Sequence, residues 1–438
     1  MLSRHLVGSR AAAVVGGAFC GFAPGLVSQA TAHPNLAGQF VLPFIAAAVL
    51  RLPGSTRPVR TGALLGLLVV YQAFLNEELL FLTALALGVL ALMRRPGPVR
   101  PVAVGLGVAA AVAVPLLAYP LAVQFFGPQA YHGLPAWIDH YVADLAAYPG
   151  YAQQSVGGSV AGADPLAQGP TEQNAFFGWG LCLLVVLLVR WWRPVDRRVG
   201  PLGVLIAVFA VLSLGRVVVV RQHSSGVPGP WLALSRLPLF DSVVPTRLAL
   251  VVTALVGVLL AIVLDRSRDR LTAALVAVAL VPLVPVPLRT GPAEPTPRFF
   301  ASGDWRRYLP AGGTVLVVPF GGEPALSAMR WQIGTDLGFT LVGGYFLGPE
   351  HGRTGDRARL GAPDSTTADV FTAHADWAHP VPPDPARLET VRAELRAWRV
   401  DAILLRDDQP DGDAVRSTVE QVVGPGDHVD DMWLWRLR

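Results

Sequence analysis

Apolar residues come in long runs through the first 289 positions, broken by short polar loops, whereas Arg298 to Arg438 mixes apolar and polar residues as a water-facing fold does. The pattern predicts membrane segments over about 11–30, 38–50, 61–76, 78–93, 101–123, 175–192, 202–219, 247–264 and 271–288. Several are shorter than the ~20 residues that cross a bilayer outright, and must tilt, pair or thin the bilayer. Beyond them, the run Val315-Leu316-Val317-Val318 marks a buried strand within 313–320, followed by a helix over 325–337 and a strand over 340–346. Helical spacing over 388–398, a strand over 400–405, a helix over 413–423 and a last strand over 432–437 complete a small α/β pattern. The expected architecture is a polytopic α-helical membrane protein with about nine membrane segments in residues 1–289, then an extracytoplasmic soluble α/β domain over 290–438.

Composition agrees. With 52% hydrophobic and 15% charged residues the chain is not an ordinary soluble globule. Its net charge of +4 rests on arginine alone, since there is no lysine, and no basic stripe with interleaved aromatics points to nucleic acid. Cys20 and Cys182 both fall in apolar runs, so no disulfide framework is indicated. His351, His374 and His379 lie among scattered aspartates without compact ligand spacing, and no metal site is expected. The chain also lacks a P-loop, a dinucleotide fingerprint and a nucleophile elbow, so no cofactor is implied.

Arginine in the loops sets orientation. Arg51, Arg57 and Arg60 mark one cytoplasmic loop, Arg94, Arg95 and Arg100 the next, Arg190, Arg193, Arg197 and Arg198 a third, and Arg266, Arg268 and Arg270 a fourth. Two successive cytoplasmic loops require an even number of crossings between them, so the run from Thr61 to Met93 must go out and return. Its turn falls at Asn76-Glu77-Glu78. These are the first acidic residues in the chain, and a carboxylate at mid-membrane costs on the order of 2.5–3.5 kcal/mol on the insertion scale. At the external end of a hairpin they are either a solvated turn or an outward-facing site. The same parity places the N-terminus inside, and the loops 124–174 and 220–246 and the C-terminal domain outside. A second reading of the start, with Arg4, His5 and Arg10 ahead of an apolar stretch and Ala30-Thr31-Ala32, is a cleavable signal peptide; His33 is external in both.

Loop 124–174 is expected to hold an amphipathic helix over 136–147 carrying Trp137, Tyr141 and Asp144, then a Gly/Ala/Ser/Pro-rich mobile stretch over 157–170. His33 and Asn35 either cap the helix they open or bind a sugar or phosphate. Arg247, after a Pro-Thr turn at the mouth of an apolar helix, is either a snorkelling interfacial residue or a phosphate partner. Trp137 and Trp231 either belt the interface or stack on a sugar ring.

Gly21-Phe22-Ala23-Pro24, then His33-Pro34-Asn35-Leu36 opening an apolar segment, and the helix pair broken at Glu77-Glu78 resemble actinobacterial GT-C-type membrane glycosyltransferases and the related YfhO-like proteins. Asp144 to Pro149, Glu172 with Phe177-Gly178, and Pro238-Leu239-Phe240 leading to Val244-Pro245-Thr246-Arg247 look like that group's external-loop signatures. Pro319-Phe320, Ala325 to Trp331 and Gly343-Gly344-Tyr345-Phe346 look like its external tail domain. The resemblance implies transfer of a sugar from a polyprenyl-phosphate carrier to an acceptor outside the membrane. The usual base of such enzymes, an Asp in the first external loop, has no counterpart here, because residues 1–76 contain neither Asp nor Glu. On this reading the chain lacks the N-terminal segment that carries the base, or has lost the activity. If it is active, Glu77, Glu78, Asp144 and Glu172 are the candidate catalytic carboxylates, with His33, Asn35, Arg247, Trp137 and Trp231 binding substrate. The alternative is a non-catalytic membrane protein that binds a lipid-linked glycan or cell-wall precursor in an assembly or transport role.

Overall fold

The computed structural model describes residues 6–93, 97–135, 138, 140–267, 269–288, 291, 294–320, 322–350, 353–362, 364–376 and 384–438, with backbone alone over 322–325 and 372–376. Trp137, His351 and His379 lie outside the described residues, and His374 is described only by its place in a helix. The chain divides into two compact units, residues 1–122 with 137–289, and residues 123–136 with 290–438.

The first unit is helical. Each of the nine apolar stretches contains a helix: α1 Arg10–Phe22 with α2 Pro24–Ala30, the one-turn α3 Pro34–Ala37 with α4 Leu42–Arg51, α5 Pro58–Leu75, α6 Glu77–Met93, α7 Val99–Phe126, α8 Gly178–Trp192, α9 Val199–Ser213, α10 Leu248–Ser267 and α11 Arg270–Leu280. Among the described residues four spans, Pro34–Gly54, Pro58–Leu75, Val99–Phe126 and Pro245–Ser267, are long and apolar enough to cross a membrane, and the bent pair α1–α2 makes a fifth if it is one span. The chain is a multi-pass membrane protein. Pro24 sets the 44° bend between α1 and α2: as the first residue of α2 it lacks the N–H a continuous helix would use, and it holds Ala23 extended at φ −62°, ψ 150°.

Helix α10 is the centre of this unit. It is apolar on every side and buried along nearly its whole length, from Leu248 to Val263, which fits a helix surrounded by other helices rather than one lying on a surface. It packs against α1 and α9. At the α1 crossing Gly16 faces Gly257, and a side chain at either position would run into the opposite backbone. Small residues allow that approach and maximise backbone contact where lipid supplies no hydrophobic drive between helices. Gly62 of α5 and Gly105 of α7 make a second such crossing.

Two sequence expectations change. Residues 217–219 are not the end of a helix: α9 stops at Ser213, Gly215 turns the chain at φ +77°, and the β-branched run forms strand β1 Val217–Val220, antiparallel to β2 His223–Pro228. The helix expected over 136–147 is, in the described residues, only 3₁₀: isolated positions at Ile138 and His140 and a turn at Leu145–Ala147, with Asp144 extended before it.

The second unit holds a five-stranded sheet. Its elements are β3 Thr314–Val318, α12 Gly322–Gly334, β4 Thr340–Leu341, the separate antiparallel pair β5 Leu347–Pro349 and β6 Ala358–Leu360, α13 Thr366–Asp376, α14 Pro385–Ala397, β7 Val400–Arg406, α15 Gly412–Val423, β8 Asp427–Val429 and β9 Met432–Arg436. The order is β4-β3-β7-β9-β8, with β4, β3 and β7 parallel and β9 antiparallel to both neighbours. Leu316, Val318, Ile403 and Leu405 face Val391, Leu395, Val415 and Val419 of α14 and α15. Val315, Val317, Ala402 and Leu404 face Phe299, Phe300, Trp305 and Trp331. With both faces covered, the central strands read as unbroken apolar runs. The strand expected over 340–346 ends at Leu341, because Gly343 and Gly344 both take positive φ.

Candidate functional site

The turn between α5 and α6 falls at Asn76. Its Oδ1 accepts from Leu79 N at 2.7 Å, an N-cap that starts α6 at Glu77. Glu78, one residue into that helix, has a side chain only 15% exposed and reaches the start of α10. Its Oε1 accepts from Val244 N at 3.0 Å, and its Oε2 lies 2.7 Å from Arg247 Nη1.

Arg247 ends the 3₁₀ turn Pro245–Arg247 that leads into α10. A cation is unfavourable at a helix N-terminus, and two carboxylates offset it here. The second is Glu172, whose side chain is 3% exposed and whose Oε1 lies 2.5 Å from Arg247 Nη2 and 3.1 Å from Nε. This is a fork of two donors on one carboxylate, the strong form of the pair. Glu172 Oε2 accepts from Gln29 Nε2 at 2.9 Å and Asn174 Nδ2 at 2.7 Å.

Gln29 carries the network to α2. Its amide nitrogen also donates to Asn174 Oδ1 at 2.8 Å, so its oxygen is the partner of His33 Nδ1, 2.8 Å away. His33 Nδ1 is then the protonated nitrogen of a neutral ring, and Nε2 holds the lone pair. Burial pushes this imidazole below its ordinary value and Arg247 pushes the same way, while Glu172 and Glu78 pull it up. Burial prevails, so the ring is neutral at pH 7.

Loop 170–174 is held against α2 by backbone contacts as well. Ser28 Oγ donates to Pro170 O at 2.8 Å and accepts from Gln173 N at 3.0 Å. Further back, Tyr148 stacks on Phe177 with ring centroids 5.6 Å apart, and its hydroxyl lies 2.8 Å from Ser213 Oγ. Gly178 takes φ +72° where the Tyr151 ring leaves no room for a side chain.

The structure thus brings Glu78, Glu172, Arg247 and His33 into one cluster and places Asp144, Trp231 and Asn35 elsewhere. Glu77 opens α6. Asp144 is buried elsewhere: Oδ1 caps Ala146 N at 2.8 Å and Oδ2 accepts from Gln222 N at 2.7 Å, which ties the β1–β2 hairpin to the loop. Trp231 is 2% exposed and packs on Phe240, centroids 5.7 Å apart, so its ring faces protein rather than solvent. Asn35 is exposed in α3, and His33 stands at that helix's N-cap position without a side-chain cap, using its ring on Gln29 instead. Gln29, Asn174 and Ser28 were not singled out from the sequence. Their signal was a polar Ser-Gln doublet at the end of an apolar run and two amides directly after Glu172. Among the described residues no group of three or more His, Cys, Asp or Glu could hold a metal ion.

Residues 1–284 match the family described as "Domain of unknown function (DUF6311)". The chain belongs to that family. No curated protein matches it. Among solved structures, the cryo-EM structure of the arabinofuranosyltransferase AftD from Mycobacteria is similar, with a TM-score of 0.50 at 14% sequence identity over 92% of this chain. The chain spans 27% of that protein's length. At this identity the likeness speaks for the fold alone.

Proposed function

We propose that the chain is a membrane glycosyltransferase of GT-C type, transferring a sugar from a polyprenyl-phosphate carrier to an acceptor on the extracytoplasmic side, where the C-terminal domain also lies. The observation that carries this reading is Arg247 held between Glu78 and Glu172 at the mouth of α10. The architecture shared with an arabinofuranosyltransferase makes a pentosyl donor the first choice.

The chemistry follows from the geometry. The acceptor hydroxyl oxygen attacks the anomeric carbon, the bond from that carbon to the carrier phosphate breaks, and the phosphate leaves with the electron pair. Arg247, fixed by two carboxylates, presents a cation that need not reorganise as negative charge grows on the leaving oxygen. Glu78, the more accessible of the two carboxylates, takes the hydroxyl proton. Glu172 is saturated by donors from Arg247, Gln29 and Asn174 and serves to orient the guanidinium. Neutral His33, with its free Nε2, accepts a hydrogen bond from a sugar hydroxyl. Asp144 acts as a clamp for the hairpin.

The full chain in lipid vesicles, given polyprenyl-phosphate-linked pentose and hexose donors and a glycan acceptor, should transfer sugar. Arg247→Gln and Glu78→Gln should each lower turnover at least a hundredfold, and Asp144→Asn should keep most of it. Binding of the lipid-linked sugar without transfer in the unaltered chain would sink the enzymatic reading in favour of a binding protein.

A further inference from the structure

A pocket of about 570 Å³ lies at the turn joining α4 to α5 and shares no residue with the cluster above. We infer that this pocket binds the phosphate of an anionic lipid headgroup. Arg51, Arg57 and Arg60 line it together with the hydroxyl-bearing Ser55, Thr56 and Thr61, and no carboxylate does. Three guanidiniums, with the Ser55 and Thr56 hydroxyls, are the donor set that phosphate oxygens accept from.

The turn is a fixed cradle. Ser55 Oγ accepts from Arg57 N at 3.2 Å and lies 3.2 Å from Thr61 Oγ1, which in turn donates to Arg57 O at 3.2 Å. Leu52, fully buried, fills the space over Gly105 of α7, and Gly62 meets the same glycine one turn into α5. The arginines are therefore carried on a scaffold packed from below. The N-terminus of the 18-residue α5 also opens here with no side-chain cap, adding its dipole to the same charge.

Position argues for a lipid rather than a free anion. The turn joins two spans long and apolar enough to cross a membrane, so it emerges at headgroup depth, where basic residues gather anionic lipids. Leu64 and Leu67 on α5 stay 54% and 55% exposed, an apolar track for an acyl chain whose phosphate sits among the arginines.

The test uses the full chain in detergent micelles, titrated with phosphatidylglycerol, with phosphatidylcholine of the same acyl chains, and with inorganic phosphate. Thermal unfolding and native mass spectrometry read stabilisation and retained lipid. Phosphatidylglycerol should raise the unfolding temperature and stay bound, with apparent affinity falling about fivefold for each arginine removed. Arg57→Gln alone should show one such step, which keeps the test decisive if the triple Arg51→Gln, Arg57→Gln, Arg60→Gln variant fails to fold. Arg193→Gln with Arg197→Gln, on another basic loop, should leave the response unchanged. An equal loss in that control, an unchanged response in Arg57→Gln, or full competition by millimolar inorganic phosphate with no lipid retained would each overturn the assignment.

Discussion

Arg247 Nη1 lies 2.7 Å from Glu78 Oε2, although the two residues are 169 positions apart in the chain. That contact ties the hairpin turn between α5 and α6 to the start of the central helix α10. Glu172 adds the loop before α8 to the same guanidinium. Three separate parts of the first unit are thus held by one cation.

Removing the counter-charges should therefore unfold the site in a graded way. Glu172→Gln weakens a charged hydrogen-bond pair and should cost about 1.5–3 kcal/mol. Changing both Glu78 and Glu172 to Gln leaves the guanidinium partly buried without a counter-charge and should cost roughly 3–5 kcal/mol. Chemical unfolding in detergent micelles measures both. Equal, small losses in the single and double variants would mean that Arg247 is solvated by water instead.

His33 gives the cluster a pH dependence of definite sign. Its imidazole is held below the ordinary value in the folded chain, so the unfolded state binds the proton first as pH falls. The stabilising effect of a neutral ring is full above the ordinary histidine range and declines as pH drops through it towards the folded value. Unfolding temperatures between pH 7.5 and 5.5 should fall more steeply for the native chain than for His33→Gln. Parallel curves would show that His33 does not titrate differently on folding.

Asp196, in the loop between α8 and α9, responds in the opposite range. Hydrogen bonds from the Arg198 side chain, 2.9 Å from Nε and 2.6 Å from Nη2, hold its carboxyl at about 2. Arg198 also donates to Leu6 O at 2.7 Å, so the pair fastens the start of the chain. A depressed carboxyl contributes stability that is complete above about 4 and lost as pH falls towards about 2. Asp196→Asn should be less stable than the native chain at pH 7, with the gap closing below pH 3.

The α1–α10 crossing should be intolerant of size. Gly257→Val places a branched side chain against the Gly16 backbone and should cost about 1–3 kcal/mol or more through forced separation of the helices. Gly17→Val, on the same helix as Gly16 but with open space beyond it, should be nearly neutral. A matched pair of unfolding curves decides it, and an equal loss in both would point to helix propensity rather than packing.

Orientation can be tested apart from stability. A reporter fused after Arg438 should signal from the extracytoplasmic side if arginine parity holds, and a cytoplasmic signal would reverse the scheme.

Much of the fold was legible because its signals are local. Apolar runs located the helices of the first unit, the polar triplet marked the α5–α6 turn, the Val315-Leu316-Val317-Val318 run marked β3 as a buried strand, and 400–405 read as a strand where β7 lies. Boundaries failed where one glycine or a β-branched run overrode the apolar pattern, as at Gly215 and Gly343. Glu78, Glu172, Arg247 and His33 could be singled out one at a time, since charge and polarity beside apolar helices are visible in a string of letters. Their union could not. The amides that complete it, Gln29 and Asn174, are 145 positions apart and carry no motif. By itself the sequence determined which segments leave water and where the chain turns, because transfer into lipid depends on each residue's own chemistry. Only the tertiary structure decided which polar groups meet, because their pairing depends on helices crossing at glycines and on a loop folding back, and those distances are set by packing across the whole unit.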